Sequence, residues 1–334
     1  MKYLSIIVPV YSVERYIEKC LSSVLYPELD GYEVIIVDDG SPDGSGSICQ
    51  DYARRYPQIM HYIRTENRGL GAARNCGLMC AKGEFVLFLD SDDSLAPGAV
   101  PEILELIQSS DIDICIYGIK SLDEAGREVP GVLSCPIEGA VPLKDYPRLL
   151  LCPPSGCNKL VRRSLMLEQQ IFFPARAWFE DLRTMPKLYL LTDKIISVHK
   201  PWYLYLQREG SITKSYVSPR NLEIIEAVND LSDHYRRAGA YTSYEKELDF
   251  IAFYNIFLVT SMRFCLADPE SPCLEELRRA YKEHHPDIRQ NPYYKEMSPK
   301  HKLLTALLEG QHYRLAGQLM NMKNTLRRKK VGDR

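Results

Sequence analysis

Short apolar runs, each stopping at a knot of acidic or turn-forming residues, recur through the first third of this chain. Residues 4–10 (LSIIVPV), 32–37 (YEVIIV) and 84–89 (EFVLFL) are rich in branched and aromatic side chains. They are too short for core helices and read as strands buried on both faces. Residues 60–64 and 111–117 supply two more. Between the runs the period changes: Val13, Tyr16, Ile17, Cys20, Leu21, Val24 and Leu25 recur every three or four positions, with Ser12 placed to cap the first turn. Ile48, Cys49, Tyr52 and Tyr56 repeat this pattern, and further helices are expected over 69–81 and from Pro97. Alternating strands and helices bury their apolar faces as a mostly parallel sheet with helices on both sides, so the fold class is α/β.

A chain of 334 residues exceeds one compact core. The alternation ends near residue 117, and residues 120–142 dissolve into Gly, Pro and acidic residues, which predicts a loop or hairpin crossing. Residues 179–191 read as a helix, followed by strands at 194–198 and 202–206. From about Ser215 the period is helical, with Leu222, Ile225, Val228 and Leu231 on one stripe and Leu303, Leu304, Leu307 and Leu308 on another. We therefore expect a domain over 1–214 and a helical appendage over 215–334.

Composition narrows the partners. A formal net charge of -2 with 26% charged residues gives no basic surplus for nucleic acid. The 10 cysteines contain no CxxC pair and no secretory signal opens the chain, so free thiols in a reducing cytoplasm are expected. The longest apolar stretch, 250–259, is about half of a membrane span before Arg263 interrupts it, and no span is expected. Lys323, Arg327, Arg328, Lys329 and Lys330 near the end form either a solvated basic terminus or a contact with an anionic membrane surface.

The chemistry lies where the strands stop. Asp90-Ser91-Asp92-Asp93 follows the run 84–89. Carboxylates at the carboxyl end of a parallel strand face the crevice where open α/β sheets bind ligands. Two of them one residue apart can face Mn2+ or Mg2+ together, the rest of the shell coming from substrate phosphates; the plainer reading is an acidic turn before the next helix. Asp38-Asp39-Gly40-Ser41 ends the second run at the same sheet edge, where an Asp could accept the imide N–H of uracil or simply shape a turn. Glu66-Asn67-Arg68-Gly69-Leu70-Gly71-Ala72-Ala73-Arg74-Asn75 brings small residues and two arginines to a helix start, which suits an anion.

Val8-Pro9-Val10-Tyr11, Val37-Asp38-Asp39-Gly40-Ser41, Glu66-Asn67-Arg68-Gly69, Ala73-Arg74-Asn75 and Leu89-Asp90-Ser91-Asp92-Asp93 stand in the order and spacing of the family 2 inverting glycosyltransferases. The chain resembles bacterial capsular and exopolysaccharide members, strongly over the first hundred residues and not at all in the helical tail. The resemblance implies a GT-A fold, a donor half over 1–117 and an acceptor half over 118–214. It places Pro9, Val10, Tyr11, Glu14 and Asp39 at the nucleoside, Asn67 and Arg68 in support, and Arg74 near the donor phosphates. Asp90 with Ser91 would meet the donor, and Asp92 and Asp90 would hold the metal. Cys157-Asn158-Lys159-Leu160 and Phe172-Phe173-Pro174 resemble the stretch before the catalytic acid pair, which Glu180-Asp181 matches, with Asp181 as general base. The family usually carries glycine or a small residue where this chain has Phe179. Tyr203-Leu204-Tyr205-Leu206-Gln207-Arg208, with Ser211-Ile212 beyond, matches the family's later Tyr-x-Tyr-x-x-Arg stretch, and Arg208 would close over the diphosphate.

The implied reaction moves a sugar from a UDP-sugar to a hydroxyl of a glycan, with inversion, the acceptor being a lipid-linked oligosaccharide and the helical appendage a possible dimer surface. Two other readings remain at this stage. A nucleotidyltransferase would lead its first strand into a glycine-rich loop, whereas this chain has Pro9-Val10-Tyr11-Ser12-Val13-Glu14. A binding protein with the same fold would have no reason to keep Asp90, Asp92 and Asp181 together.

Overall fold

A computed structural model describes residues 3–130, 135–208, 217–284 and 287–321. The chain divides into two compact units, Met1–Lys214 and Ser215–Arg334. In the first, the apolar runs become β1 (Leu4–Val10), β2 (Tyr32–Asp38), β3 (Met60–Arg64) and β4 (Phe85–Phe88). Between them lie α1 (Ile17–Ser23), α2 (Ser45–Arg55) and α3 (Leu70–Cys80). The short β5 (Ser94–Leu95) leads to α4 (Ala99–Ser109), then β6 (Ile114–Ile116), β7 (Ile119–Asp123) and β8 (Gly139–Ala140). The unit closes with β9 (Lys159–Arg162), α5 (Arg163–Glu168), α6 (Glu180–Thr184), β10 (Ile195–Ser197) and β11 (Tyr203–Gln207).

Eight strands form one sheet in the order β3-β2-β1-β4-β9-β6-β10-β8. All seven residues of β1 and of β2 are buried, as strands covered on both faces require. The pairings β1 with β2, β2 with β3, β1 with β4 and β6 with β10 are parallel. The sheet is mixed rather than wholly parallel, because β9 runs antiparallel to β4 and β6, and β8 antiparallel to β10. A second sheet, β5-β11-β7, takes the last strand of the unit. The chain winds from β1 outward to β3 and then returns to place β4 on the other side of β1. That reversal opens a crevice at the carboxyl ends of β1, β2 and β4.

Local expectations shift in instructive ways. The first helix begins at Ile17 rather than after Ser12, which has φ 53 and caps nothing in it. The preceding turn is held from outside, Val13 N–H donating to Ser45 Oγ (3.0 Å) and Glu14 N–H to Asp43 Oδ2 (3.1 Å). The helix expected over 179–191 is five residues of α-helix followed by a 3-10 stretch, Met185–Leu190, where Pro186 lacks the N–H an α-turn would use.

The second unit is helical among its described residues. In α7 (Glu223–Arg237) the buried stripe is Ile224, Ala227, Val228, Leu231 and Tyr235, so Ile225 sits off its centre. Near the end Leu304 and Leu308 are buried while Leu303 is 50% exposed. The helix Tyr241–Ala267 is 27 residues long and apolar enough to cross a membrane by length and composition, which corrects the ten-residue stretch read from sequence. Phe253, Phe257 and Phe264 along it are buried in this unit's own core, so packing already uses its apolar surface. The basic residues from Lys323 to Lys330 lie outside the described residues.

Candidate functional site

The carboxyl ends of β1 and β2 build one side of the crevice. Pro9 and Val10 are the last two residues of β1, and the Val10 side chain belongs to the hydrophobic core, so this strand end offers the crevice backbone rather than the Val10 side chain. Tyr11, one residue beyond, is 50% exposed. Glu14 accepts from Gly44 N–H (3.0 Å), joining the turn after β1 to the turn after β2.

The two aspartates ending β2 have different tasks. Asp38 is fully buried and accepts from the Tyr62 hydroxyl (2.6 Å) and Ser41 N–H (2.8 Å), with Arg64 at 3.2 Å, so it shapes the turn. Asp39 accepts from the backbone N–H groups of Arg68 (2.9 Å) and Gly69 (2.7 Å) and so anchors the loop that enters α3. Gly69 has φ 88, and a Cβ there would stand 3.3 Å from the backbone of Arg176. Asp39 also accepts from Thr65 Oγ1 (3.3 Å) and lines a cleft with Thr65, Glu66, Arg68, Ala72 and Cys76, where its Oδ2 keeps a lone pair for another donor. Asn67 and Arg68 are exposed at this rim.

The acidic turn after β4 closes the other side. Asp93 is buried and accepts from the Tyr203 hydroxyl (2.6 Å) and Leu206 N–H (2.7 Å); burial, reinforced by the charges of Asp92 and Asp90, raises its carboxyl well above the usual range. This pair of bonds ties β11 to the turn and delivers Arg208, whose Nε donates to Asp92 Oδ2 at 2.8 Å while its guanidinium lies 5.0 Å from the Tyr16 ring centre. Burial, then the Asp90 charge, raises the Asp92 carboxyl in spite of Arg208. Ser91 is buried between them. The residues 209–216 that follow, Ser211 and Ile212 included, lie outside the described residues.

Arg74 joins the two ends of the site. It is 1% exposed, Nη1 donating to Asp181 Oδ1 (2.7 Å) and Glu180 Oε1 (3.1 Å) and Nη2 to Asp90 Oδ1 (2.9 Å). The expectation that it faces donor phosphates is corrected: its guanidinium already holds three carboxylates, and Phe173 covers it at 5.1 Å. Asp90 takes a second bond from Cys157 Sγ at 3.0 Å. Next to that thiol, Lys159 is fully buried and donates to Pro153 O (3.0 Å), Ser155 O (2.6 Å) and Asn158 Oδ1 (2.8 Å), fixing the loop beside Asp181. Burial lowers the Lys159 ammonium to about 8.

Five carboxylates, Asp90, Asp92, Asp93, Glu180 and Asp181, thus gather around two arginines. Among the described residues no three acid, His or Cys side chains form a complete metal cage. A hard divalent cation that takes one or two carboxylates and completes its shell with a diphosphate does fit Asp92 and Asp90, whose mutual repulsion it would relieve. Cys157, Asp93, Tyr203 and Lys159 went unassigned by sequence reasoning. All four stood inside the motif stretches, but nothing local in the sequence says which partner each side chain meets.

Glu180 sits with a carboxyl pushed up to about 7 by burial and the Asp181 charge, Arg74 opposing. A raised carboxyl contributes stability that is complete below its unfolded value of 4.5 and is lost as pH rises through about 7. Glu180→Gln should therefore flatten the fall in melting temperature between pH 4.5 and 7. Calorimetric melts at several pH values check this, and parallel curves for the two proteins would refute it.

Comparisons with known proteins bear on the family and the fold. The profile described as glycosyl transferase family 2 matches residues 5–166. Glycosyltransferase GlyG of Streptococcus pneumoniae serotype 4 is 30% identical over 226 residues, 64% of this chain and 73% of GlyG. Glycosyltransferase GlyA of the same organism is 30% identical over 240 residues, 68% of this chain and 34% of GlyA, so the chain spans about a third of that relative's length. The crystal structure of S. aureus TarS 1-349 in complex with UDP-GlcNAc superposes with a TM-score of 0.67 at 23% identity, covering 97% of this chain and 92% of that one. The likeness establishes a shared GT-A fold.

Proposed function

The chain belongs to glycosyl transferase family 2, and we propose that it moves a sugar from a UDP-sugar donor to a hydroxyl of a glycan acceptor with inversion at the anomeric carbon. The observation that carries this reading is the single cluster in which Arg74 joins Asp90, at the donor end, to Glu180 and Asp181. Residues 1–117 bind the donor and 118–214 the acceptor. Asp39 accepts from the uracil imide, helped by Tyr11, Glu14 and the rim residues Asn67 and Arg68. The uridine assignment is supported by the UDP-GlcNAc held by the structural relative.

Asp181 takes the proton of the attacking hydroxyl, with Glu180 beside it and Arg74 fixing both. Mn2+ or Mg2+ on Asp92 and Asp90 would supply positive charge to the departing diphosphate. Arg208, whose Nε lies 2.8 Å from Asp92 Oδ2, would turn to the same group. Asp181 as base, with no carboxylate among the described residues assigned as a nucleophile, favours a single displacement, hence inversion. The acceptor is a lipid-linked oligosaccharide, which the basic residues 323–330 would help approach at the inner membrane face, and the second unit would serve a homodimer.

Incubation with a panel of UDP-sugars, with and without Mn2+, tests the reading by mass spectrometry of released UDP. Release from at least one sugar, raised tenfold or more by Mn2+, is expected; no release from any UDP-sugar would overturn it.

A further inference from the structure

We propose that Phe179, with Trp178 beside it, forms an aromatic wall of the acceptor site and reads the apolar face of a sugar ring next to the hydroxyl that Asp181 deprotonates; this rests on the function proposed above. Phe179 is held at φ 60 and ψ 34, in the left-handed region. There its Cβ crowds the backbone, and a bulky residue adopts the conformation rarely, whereas glycine adopts it freely. The chain needs this reversal, because it turns the loop into α6 and aims Glu180 and Asp181 at Arg74. It does not need a ring to make it.

The ring is not sealed inside the protein. Phe179 is only partly buried, and it meets Trp178 edge to face with centroids 6.5 Å apart. Strain kept at such a point marks a side chain with a task. The neighbouring Glu180 and Asp181 side chains are 17% and 24% exposed, so solvent reaches the acid pair that directly follows the two rings in the chain. Backbone comes close to the base as well: a Cβ at Gly156 would stand 3.2 Å from Asp181 Oδ1. A pyranose presents C–H groups on one face and hydroxyls around its edge. Laid on the rings, it keeps its hydroxyls free for the carboxylate. An anionic polyol chain has no such face and would gain little from them.

Steady-state transfer to lactose and to N-acetylglucosamine, in wild type and in Phe179→Gly, Phe179→Asn and Phe179→Tyr, tests the assignment. Phe179→Gly should melt at or above the wild-type temperature while its acceptor KM rises at least tenfold and kcat falls less than threefold. Phe179→Tyr should bring KM back to within threefold of wild type. Asn also tolerates the left-handed region, so Phe179→Asn should show the same KM rise should the glycine variant fail to fold. Acceptor KM within twofold of wild type in both ring-less variants, or a loss confined to kcat, overturns the inference. UDP release by the wild type reports on the function separately: a wild type that releases no UDP from any UDP-sugar overturns function and inference together, and an active one with unaffected variants overturns the inference alone.

Discussion

Replacing Asp181 with Asn is expected to lower sugar transfer by roughly two to four powers of ten, the usual contribution of a general base to proton transfer in the rate-limiting step. Asn keeps the shape of the side chain and an oxygen for the Arg74 Nη1 bond at 2.7 Å, so the loop should stay in place. What it loses is the ability to accept the hydroxyl proton. In the proposed function donor binding is set at the other end of the crevice, by Asp39, Asp92 and Asp90, and should change by less than about threefold in affinity, or about 0.7 kcal/mol. Calorimetric titration with the UDP-sugar beside a transfer assay separates the two effects. Full activity in the variant would remove Asp181 from the mechanism, and loss of donor binding would make its role structural.

Arg74→Met carries the largest expected effect on stability. The side chain is 1% exposed and holds Asp90, Glu180 and Asp181 at 2.9, 3.1 and 2.7 Å. Removing one partner of a buried ionic cluster leaves uncompensated charge, which costs about 3–5 kcal/mol, a large share of the about 5–15 kcal/mol that holds a folded protein together. Methionine fills most of the volume, so the loss reports charge rather than a cavity. Arg74→Lys should recover only part of it, because a single ammonium cannot make the forked contacts of a guanidinium to both ends of the site. Urea unfolding of the three proteins provides the measurement. A loss below about 1 kcal/mol in Arg74→Met would mean that the carboxylates take up protons or separate without cost, and the cluster would not be the unit described.

Arg74 also explains why the donor and acceptor ends act as one site. Asp90 follows β4 and Asp181 lies in α6, 91 positions apart in the chain, yet one guanidinium binds both. Cys157 and Lys159 reinforce the arrangement from β9 and the loop before it. A shift of the acid pair would therefore be felt at Asp90, where a donor diphosphate and its cation are proposed to sit.

Much of this was legible from residue order alone. Hydrophobic period distinguishes β1, β2 and β4 from the helices between them, because a strand buried on both faces must be apolar throughout. Polar residues that stop such strands mark the carboxyl edge of the sheet, so the common edge of Asp39, Asp90 and Asp92 could be read from position. Other features depend on what the folded chain brings together. Whether Val10 points into the core or the crevice, whether Arg74 meets phosphate or carboxylates, and that Cys157 donates to Asp90 are decided by contacts between residues distant in sequence. No local pattern encodes those contacts. The left-handed turn at Phe179 belongs there too: composition shows only a phenylalanine where glycine would be easier, and the backbone angle shows what its presence must overcome.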